Sequence, residues 1–379
     1  MRLLYVAPRF HSNQIPIMKG WQQEGAKVLF VSQFAPPDED HGVLEPMVLG
    51  YSSFFEAFFR LLRFLLWRND KSDKREYDWR TKVGFPPLFS ASRILRRFRP
   101  DIVILRERTL YNVPFALCCK RAGIPCILYN QTALDMDDQS SIGKRLTKLL
   151  FPRVRMTPVR SVRADQGRRC KTDYYVPFVQ EVAIPFEQKD HFQFDRVNIL
   201  CVARYEARKN LLMLADAYAR MEGIEKTHLT IAGEKISRDQ IEYYDRLESR
   251  ITELGIADRI TLKVNCSRDE VYREYAKADL FVLPSTRERA SVSQLEAMSY
   301  SLPVICSDTN GTACYVEQEQ NGYLFRDNDA EDLKGKMEQL VLDHERLLAL
   351  GRRSYELVQN QYCFENYRDS IVRIISDYK

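Results

Sequence analysis

Apolar and polar positions follow one recurring rhythm along this chain. Short apolar runs, "RLLYVA" at 2–7, "AKVLFVSQ" at 26–33, "DIVILRE" at 101–107 and "CILYNQ" at 126–131, are separated by stretches with helical spacing. Runs that short and that apolar suit strands covered on both faces, with helices as the crossovers between parallel neighbours. Between residues 174 and 194, "YYVPFVQEVAIPFEQKDHFQF" loses this periodicity and gathers prolines. The rhythm then restarts: "NILCVA", the helix "NLLMLADAYARM", "LTIAG", the helix "RDQIEYYDRLESRITELG", "ITLKV", the helix "RDEVYREYAKA", "LFVLP", a further helix, and "PVICS". The pattern predicts two doubly wound α/β domains, over residues 1–187 and 188–355, followed by a helical segment at 356–379.

Composition narrows the picture. A chain of 379 residues, 45% apolar, can bury two cores of ordinary size. Lys and Arg number 57 against 52 Asp and Glu, an excess too small to mark a dedicated nucleic-acid binder. Nine cysteines without a C-x-x-C pair or Cys/His grouping at zinc spacing read as reduced thiols, with no metal expected. The apolar run before Arg9 is too short for a signal-peptide core, and no stretch approaches the roughly 20 apolar residues a membrane span needs. The expected location is cytoplasmic, with a peripheral membrane contact considered below.

The densest chemistry lies in "STRERASVSQLEAMSYSLPVICSD", residues 285–308. Glu288 falls in a loop at the carboxyl end of a predicted strand, and Glu296 lies inside the following helix. Ser291 and Gln294 have the spacing of a capping box. The amides near Ala290, Ser291 and Val292 suit an anion. Upstream, "VARYEARKN" puts Arg204 just after a strand and Lys209 five positions later, two cations able to neutralise a diphosphate without metal.

In their order, "VARYEARKN", "LTIAG", "YAKADLFVLPSTRE", "LEAMSYSLPVICSDTNG" and "NGYLF" resemble the retaining glycosyltransferases of family 4. The resemblance covers most of the C-terminal half. It implies the GT-B fold, two Rossmann-like domains facing a central cleft with a C-terminal helix crossing back to the first. It also implies a nucleotide-sugar donor, a UDP-sugar ahead of a GDP-sugar, with no cofactor required. Arg204 and Lys209 would hold the diphosphate, Glu288 the donor sugar and Glu296 the ribose, with Gly233, Ala290, Ser291 and Val292 lining the site. Arg204, Lys209 and Glu288 would carry catalysis. Where the family has glycines after the first Glu, this chain has Arg289, Ala290 and Ser291.

The first half departs further from that family. "PRFHSNQIP" replaces a glycine-rich loop and offers His11, Asn13 and Gln14 toward the diphosphate or an acceptor, and "ILYNQTALD" offers Asn130 and Gln131. His11 reads equally as a loop or core residue. The acidic run "DMDD" at 135–138 reads as an acidic loop rather than a metal-binding motif. Residues 54–67, "FFEAFFRLLRFLLW", place Glu56, Arg60 and Arg63 on one narrow stripe of an otherwise apolar helix, followed by Arg68, Lys71, Lys74, Arg75 and Arg80. Residues 54–80 therefore suit either an anionic membrane surface or burial in the domain. Three functions are compatible with these residues. They are transfer of a sugar to a saccharide or lipid-linked acceptor, a nucleotide-sugar 2-epimerase on the same fold, and a catalytically degenerate sugar-nucleotide-binding scaffold.

Overall fold

The apolar runs become parallel strands with both faces covered. In the computed structural model, which describes residues 1–35, 42–66, 79–133, 149–160 and 172–378, the first sheet contains β1 (Arg2–Ala7), β2 (Lys27–Ser32), β3 (Met47–Val48), β4 (Ile102–Arg106), β5 (Cys126–Tyr129), β6 (Arg155–Thr157) and β7 (Asp173–Tyr175). Its spatial order is β3-β2-β1-β4-β5-β6-β7, with every pairing parallel. The described helices of this half are α1 (Ile15–Gln23), α2 (Ser53–Leu66), α3 (Ser90–Phe98) and α4 (Val113–Ala122).

The second sheet contains β8 (Val197–Val202), β9 (Thr227–Gly233), β10 (Ile260–Val264), β11 (Leu280–Leu283), β12 (Val304–Ser307) and β13 (Gly322–Phe325), ordered β10-β9-β8-β11-β12-β13 and again parallel. Its helices are α5 (Leu211–Ala219), α6 (Arg238–Glu253), α7 (Arg268–Lys277), α8 (Val292–Ser299), α9 (Ala330–Val341) and α10 (His344–Asn360), and α11 (Phe364–Tyr378) ends the chain. Strand order reverses between β1 and β4 in one sheet and between β8 and β11 in the other. At such a switch point the flanking loops diverge and leave a crevice at the carboxyl ends of the strands.

Two helix starts of the second domain follow the local capping pattern, and a third does not. Ser237 and Ser267 each form a complete capping box, with Gln240 and Glu270 reaching back. The box expected at Ser291 does not form: the Ser291 hydroxyl lies 2.7 Å from that of Ser293. Gln294 is fully buried and spends both ends of its amide on Thr312, donating to its carbonyl at 3.0 Å and accepting from its hydroxyl at 2.8 Å. A buried amide must satisfy both ends, and Thr312 does so where a solvent-facing cap could not.

The last helix returns to the first domain. Tyr367, Ile371 and Ile374 join a core with Leu3, Tyr5, Met18, Trp21 and Phe30. The Trp21 ring meets Phe364 edge-on at 5.1 Å, and its Nε1 donates to the Tyr5 hydroxyl at 2.9 Å, which lies 3.2 Å from that of Tyr367. Arg368 pairs with Glu24 at 2.6 Å, and the Tyr174 hydroxyl donates to Asp377 at 2.8 Å. The chain therefore crosses between the domains twice, once after β7 and once after α10. At the seam the Tyr315 hydroxyl donates to the Pro158 carbonyl at 2.7 Å and accepts from the Phe178 N–H at 3.1 Å.

Helix α2 buries one face and exposes another. Phe55 and Phe59 stack on Trp79 at 5.8 and 5.4 Å. Phe54 is 83% exposed and Phe64 65%, with Phe58 and Leu61 exposed between them. Arg80, the last of the basic residues that follow this helix, is part-buried: it pairs with Glu56 and lies over the Tyr51 and Phe59 rings at 5.0 and 4.8 Å. Arg68, Lys71, Lys74, Arg75 and the acidic run at 135–138 fall outside the described residues. Among the described residues no helix is long and apolar enough to cross a membrane.

The contact of α1 with α11 sets up a sign reversal. A Cβ at Gly20 would sit 2.1 Å from the Phe364 ring, so Gly20→Ala should destabilise the chain by about 1–3 kcal/mol through overpacking. In a Phe364→Ala background the same change should stabilise by about 0.5–1 kcal/mol through helix propensity. Thermal denaturation of the four proteins checks this, and additive effects would contradict the contact.

Candidate functional site

The loops after β8 and β11 meet across the second switch point. Tyr205, fully buried, fixes the first loop: its hydroxyl lies 2.9 Å from the carbonyl oxygens of both Ile231 and Lys263. A single turn then ends at Asn210, which adopts the left-handed conformation at φ 54°. This turn directs Lys209 inward, leaving it 8% exposed. From the other side, the Thr286 N–H donates to the Arg208 carbonyl at 2.9 Å, stitching the two loops together.

The charged side chains form one continuous chain. Glu234 pairs with Arg204 Nε at 2.8 Å, and Arg204 Nη1 lies 3.8 Å from Glu206. Glu206 also pairs with Arg208 Nε at 3.0 Å, and Arg208 Nη1 reaches Glu288 Oε2 at 2.6 Å. Lys209 Nζ binds that same oxygen. Burial alone would raise the Glu288 carboxyl, but Lys209 and then Arg208 outweigh it and hold the group below its ordinary value, so it stays ionised. The structure thus links Arg204, Lys209 and Glu288 through Glu206 and Arg208, two residues the sequence reading passed over. The basic pair in "EARKN" was the available signal, and only its second member was used.

A third loop supports Glu288 from behind. The Gly311 N–H donates to the Glu288 carbonyl at 2.7 Å, and a Cβ on Gly311 would lie 1.7 Å from the Arg289 carbonyl oxygen. Only glycine permits that approach. Ala290, Ser291 and Val292 follow at the start of α8, whose first-turn amides receive no cap from the Ser291 side chain. Gly233 has a packing reason of its own. Its Cβ would fall 2.1 Å from the Ala203 carbonyl oxygen, so glycine lets the tips of β8 and β9 close together.

Glu296 stands apart from the ion-pair chain. It projects from α8 toward α7, where its Oε2 lies 3.2 Å from the Tyr275 hydroxyl. Burial raises its pKa above the ordinary carboxylate value, against the hydrogen bond from Tyr275 and the charge of Arg268. The two glutamates therefore differ in environment: one is neutralised by cations, the other desolvated beside a phenol.

In the first domain, His11 follows β1 and accepts a 3.4 Å hydrogen bond at Nε2 from Arg9 Nε. Burial, reinforced by Arg106 and Arg9, lowers its pKa to about 2, so the imidazole is neutral at any working pH. Gln131 accepts from Arg106 Nη2 at 3.3 Å and donates to the Tyr129 hydroxyl at 3.3 Å. Asn13 lines a small cavity with Arg106, while the side-chain oxygens of Asn13 and Asn130 are buried without a partner. Arg106, at the end of β4, was not singled out by the sequence. Among the described residues no group of three or more His, Cys, Asp or Glu side chains gathers to hold a metal.

Two doubly wound parallel sheets, charged loops at the switch point of the second and a terminal helix returning to the first define the GT-B architecture. Residues 185–357, a little under half of the chain, match the family model "Glycosyl transferases group 1". The chain is 25% identical over 178 residues to the lipopolysaccharide core biosynthesis glycosyltransferase LpsE of Rhizobium meliloti (strain 1021), covering 47% of this chain and 49% of that protein. It is also 25% identical over 162 residues to mannosylfructose-phosphate synthase of Agrobacterium fabrum (strain C58 / ATCC 33970), 42% of this chain and 36% of that one. The chain thus spans about half the length, or less, of these curated relatives. In fold it superposes on Anabaena HepE in complex with UDP with a TM-score of 0.70, at 14% identity and over 100% of both chains.

The ion pair predicts a stability effect separable from any activity. Glu288→Ala leaves the buried Lys209 without its carboxylate and should cost roughly 3–5 kcal/mol. Adding Lys209→Met should recover part of that loss by removing the stranded charge. Chemical denaturation of the single and double variants measures both, and a double variant no more stable than Glu288→Ala would contradict the pairing.

Proposed function

We propose that the chain is a retaining, metal-independent glycosyltransferase. It would move a hexosyl group from a nucleoside-diphosphate sugar, UDP- ahead of GDP-, to a saccharide or lipid-linked saccharide acceptor in cell-surface polysaccharide or glycolipid synthesis. The observation that carries this is the convergence of Lys209, Arg208 and the ionised Glu288 at the switch-point crevice. The UDP complex of the structural neighbour and the lipopolysaccharide role in the name of one relative support the donor and the pathway class.

In this reading Arg204 and Lys209 receive the diphosphate and stabilise the charge that develops on the leaving oxygen. Glu288 accepts hydrogen bonds from donor-sugar hydroxyls, and Glu296 accepts those of the ribose. The bond from the anomeric carbon to phosphate breaks as the acceptor oxygen bonds on the same face. His11, with its pKa lowered to about 2, is too weak a base to help. The departing phosphate oxygen takes the acceptor's proton instead. An epimerase would need acid and base groups around the sugar. Among the described residues no histidine joins the Glu288 chain: His228 lies 2.8 Å from Thr261, and His191 faces Asp279.

UDP titration across pH tests the donor assignments together. Affinity should fall as the pH drops through the raised pKa of Glu296, because the protonated carboxyl loses acceptor capacity, and Glu296→Gln should flatten that acid limb. Lys209→Ala should weaken UDP roughly tenfold to a hundredfold at neutral pH. A folded wild-type chain that binds no nucleoside diphosphate would favour the scaffold reading.

A second reading concerns residues 54–80, where the exposed Phe54, Phe58, Leu61 and Phe64, with Leu88 and Phe89 exposed nearby, favour contact with a membrane surface. Phe54→Asp with Phe58→Asp should release the folded chain from anionic phosphatidylserine vesicles in a sedimentation assay. Phe59 is unsuitable for this test because it is buried against Trp79. Vesicle binding that survives the double change would refute the contact.

A further inference from the structure

The first domain carries a crevice of its own, largely apolar with a few polar groups, at the carboxyl ends of β1, β4, β5 and β6. Its cavity of about 30 Å³ is lined by Tyr5, Asn13, Gln14, Arg106, Tyr129 and Tyr367, among others. Three polar atoms of its lining residues are buried without a hydrogen-bond partner among the described residues: Asn13 Oδ1, Gln14 Oε1 and Arg106 Nη1. Gln14 is only 7% exposed. Such atoms cost free energy unless something bonds to them.

The charge balance points the same way. Arg106 makes a side-chain hydrogen bond to the neutral amide of Gln131, and no carboxylate lies within ion-pair distance of it among the described residues. The adjacent Glu107 is exposed and makes no ion pair with it. A half-buried guanidinium facing a cavity seeks an oxyanion, which it can meet with two parallel donors. Amide oxygens accept the protons of hydroxyls.

We propose that this crevice is a subsite for a saccharide carrying an oxyanion, phosphate or carboxylate. Arg106 receives the oxyanion, and Asn13 and Gln14 accept hydroxyl hydrogen bonds. Calling that saccharide the acceptor rests on the transferase reading, whereas the preference for an anionic sugar does not.

Isothermal titration of the full chain with glucose 6-phosphate, glucuronate and methyl α-glucoside tests it, and the two acidic sugars distinguish phosphate from carboxylate. At least one acidic sugar should bind about tenfold or more tighter than the neutral glucoside. Arg106→Gln should abolish that preference, and Arg106→Lys should keep part of it. Lys209→Ala should leave it intact. The Asn112 bond to Arg106 goes to its carbonyl oxygen, so it survives these changes, and the thermal midpoint checks folding. No binding of either acidic sugar, equal affinity for the neutral one, or a preference that survives Arg106→Gln overturns the proposal. Loss of the preference in Lys209→Ala also overturns it, by assigning the anion to the Glu288 cluster. UDP titrated separately reports on the donor reading, so either can fail alone.

Discussion

The close approach of Gly311 to the Arg289 carbonyl is the constraint on which the rest of the second domain's site depends. The turn Gly311–Tyr315 begins at that contact and ends at the Tyr315 hydroxyl, which bridges Pro158 of the first domain and Phe178 of the connecting segment. Within it, Thr312 satisfies Gln294 of α8, and Cys314 Sγ accepts from the Arg160 N–H at 3.3 Å. One short turn therefore fixes the Glu288 loop, the start of α8 and the domain seam. A displacement at the seam reaches the Glu288 backbone along the five residues of this turn and the hydrogen bond from the Gly311 N–H.

Electrostatics acts on a smaller scale. Glu288 shares two cations, one buried and one exposed, and Glu206 links the exposed one to Arg204. Because Arg208 is half-exposed, its pairing contributes little by itself. Lys209 is buried and cannot be left without a counter-charge, and it is this member that makes the pair strong. The desolvated Glu296 follows the opposite logic: burial outweighs the Tyr275 hydrogen bond and the charge of Arg268, and its proton affinity is raised.

Most of the architecture was legible in sequence because parallel strands buried on both faces announce themselves as continuous apolar runs. Lys209 and Glu288 were legible because each follows such a run by a fixed number of residues. What escaped notice depends on partners far away along the chain. Arg208 becomes informative only once Glu288, 80 residues on, is seen to face it. Arg106 looks like an ordinary strand end until the loops after β1 and β5 fold over it. The false capping box at Ser291 failed for the same reason, since Thr312 lies 18 residues beyond Gln294. Local patterns predicted the scaffold, and long-range pairing decided which polar side chains line its crevices.

The double crossing between domains has a mechanical consequence. Two covalent strands passing the same seam, one leading into β8 and one leading out of α10, act like the two pins of a door. They oppose twisting and sliding of one domain over the other and favour rotation about the line that joins them. Under such a rotation, displacement grows with distance from the seam. The Tyr315 contact would move least, and the outer rims of the two switch-point crevices would sweep through the widest arc.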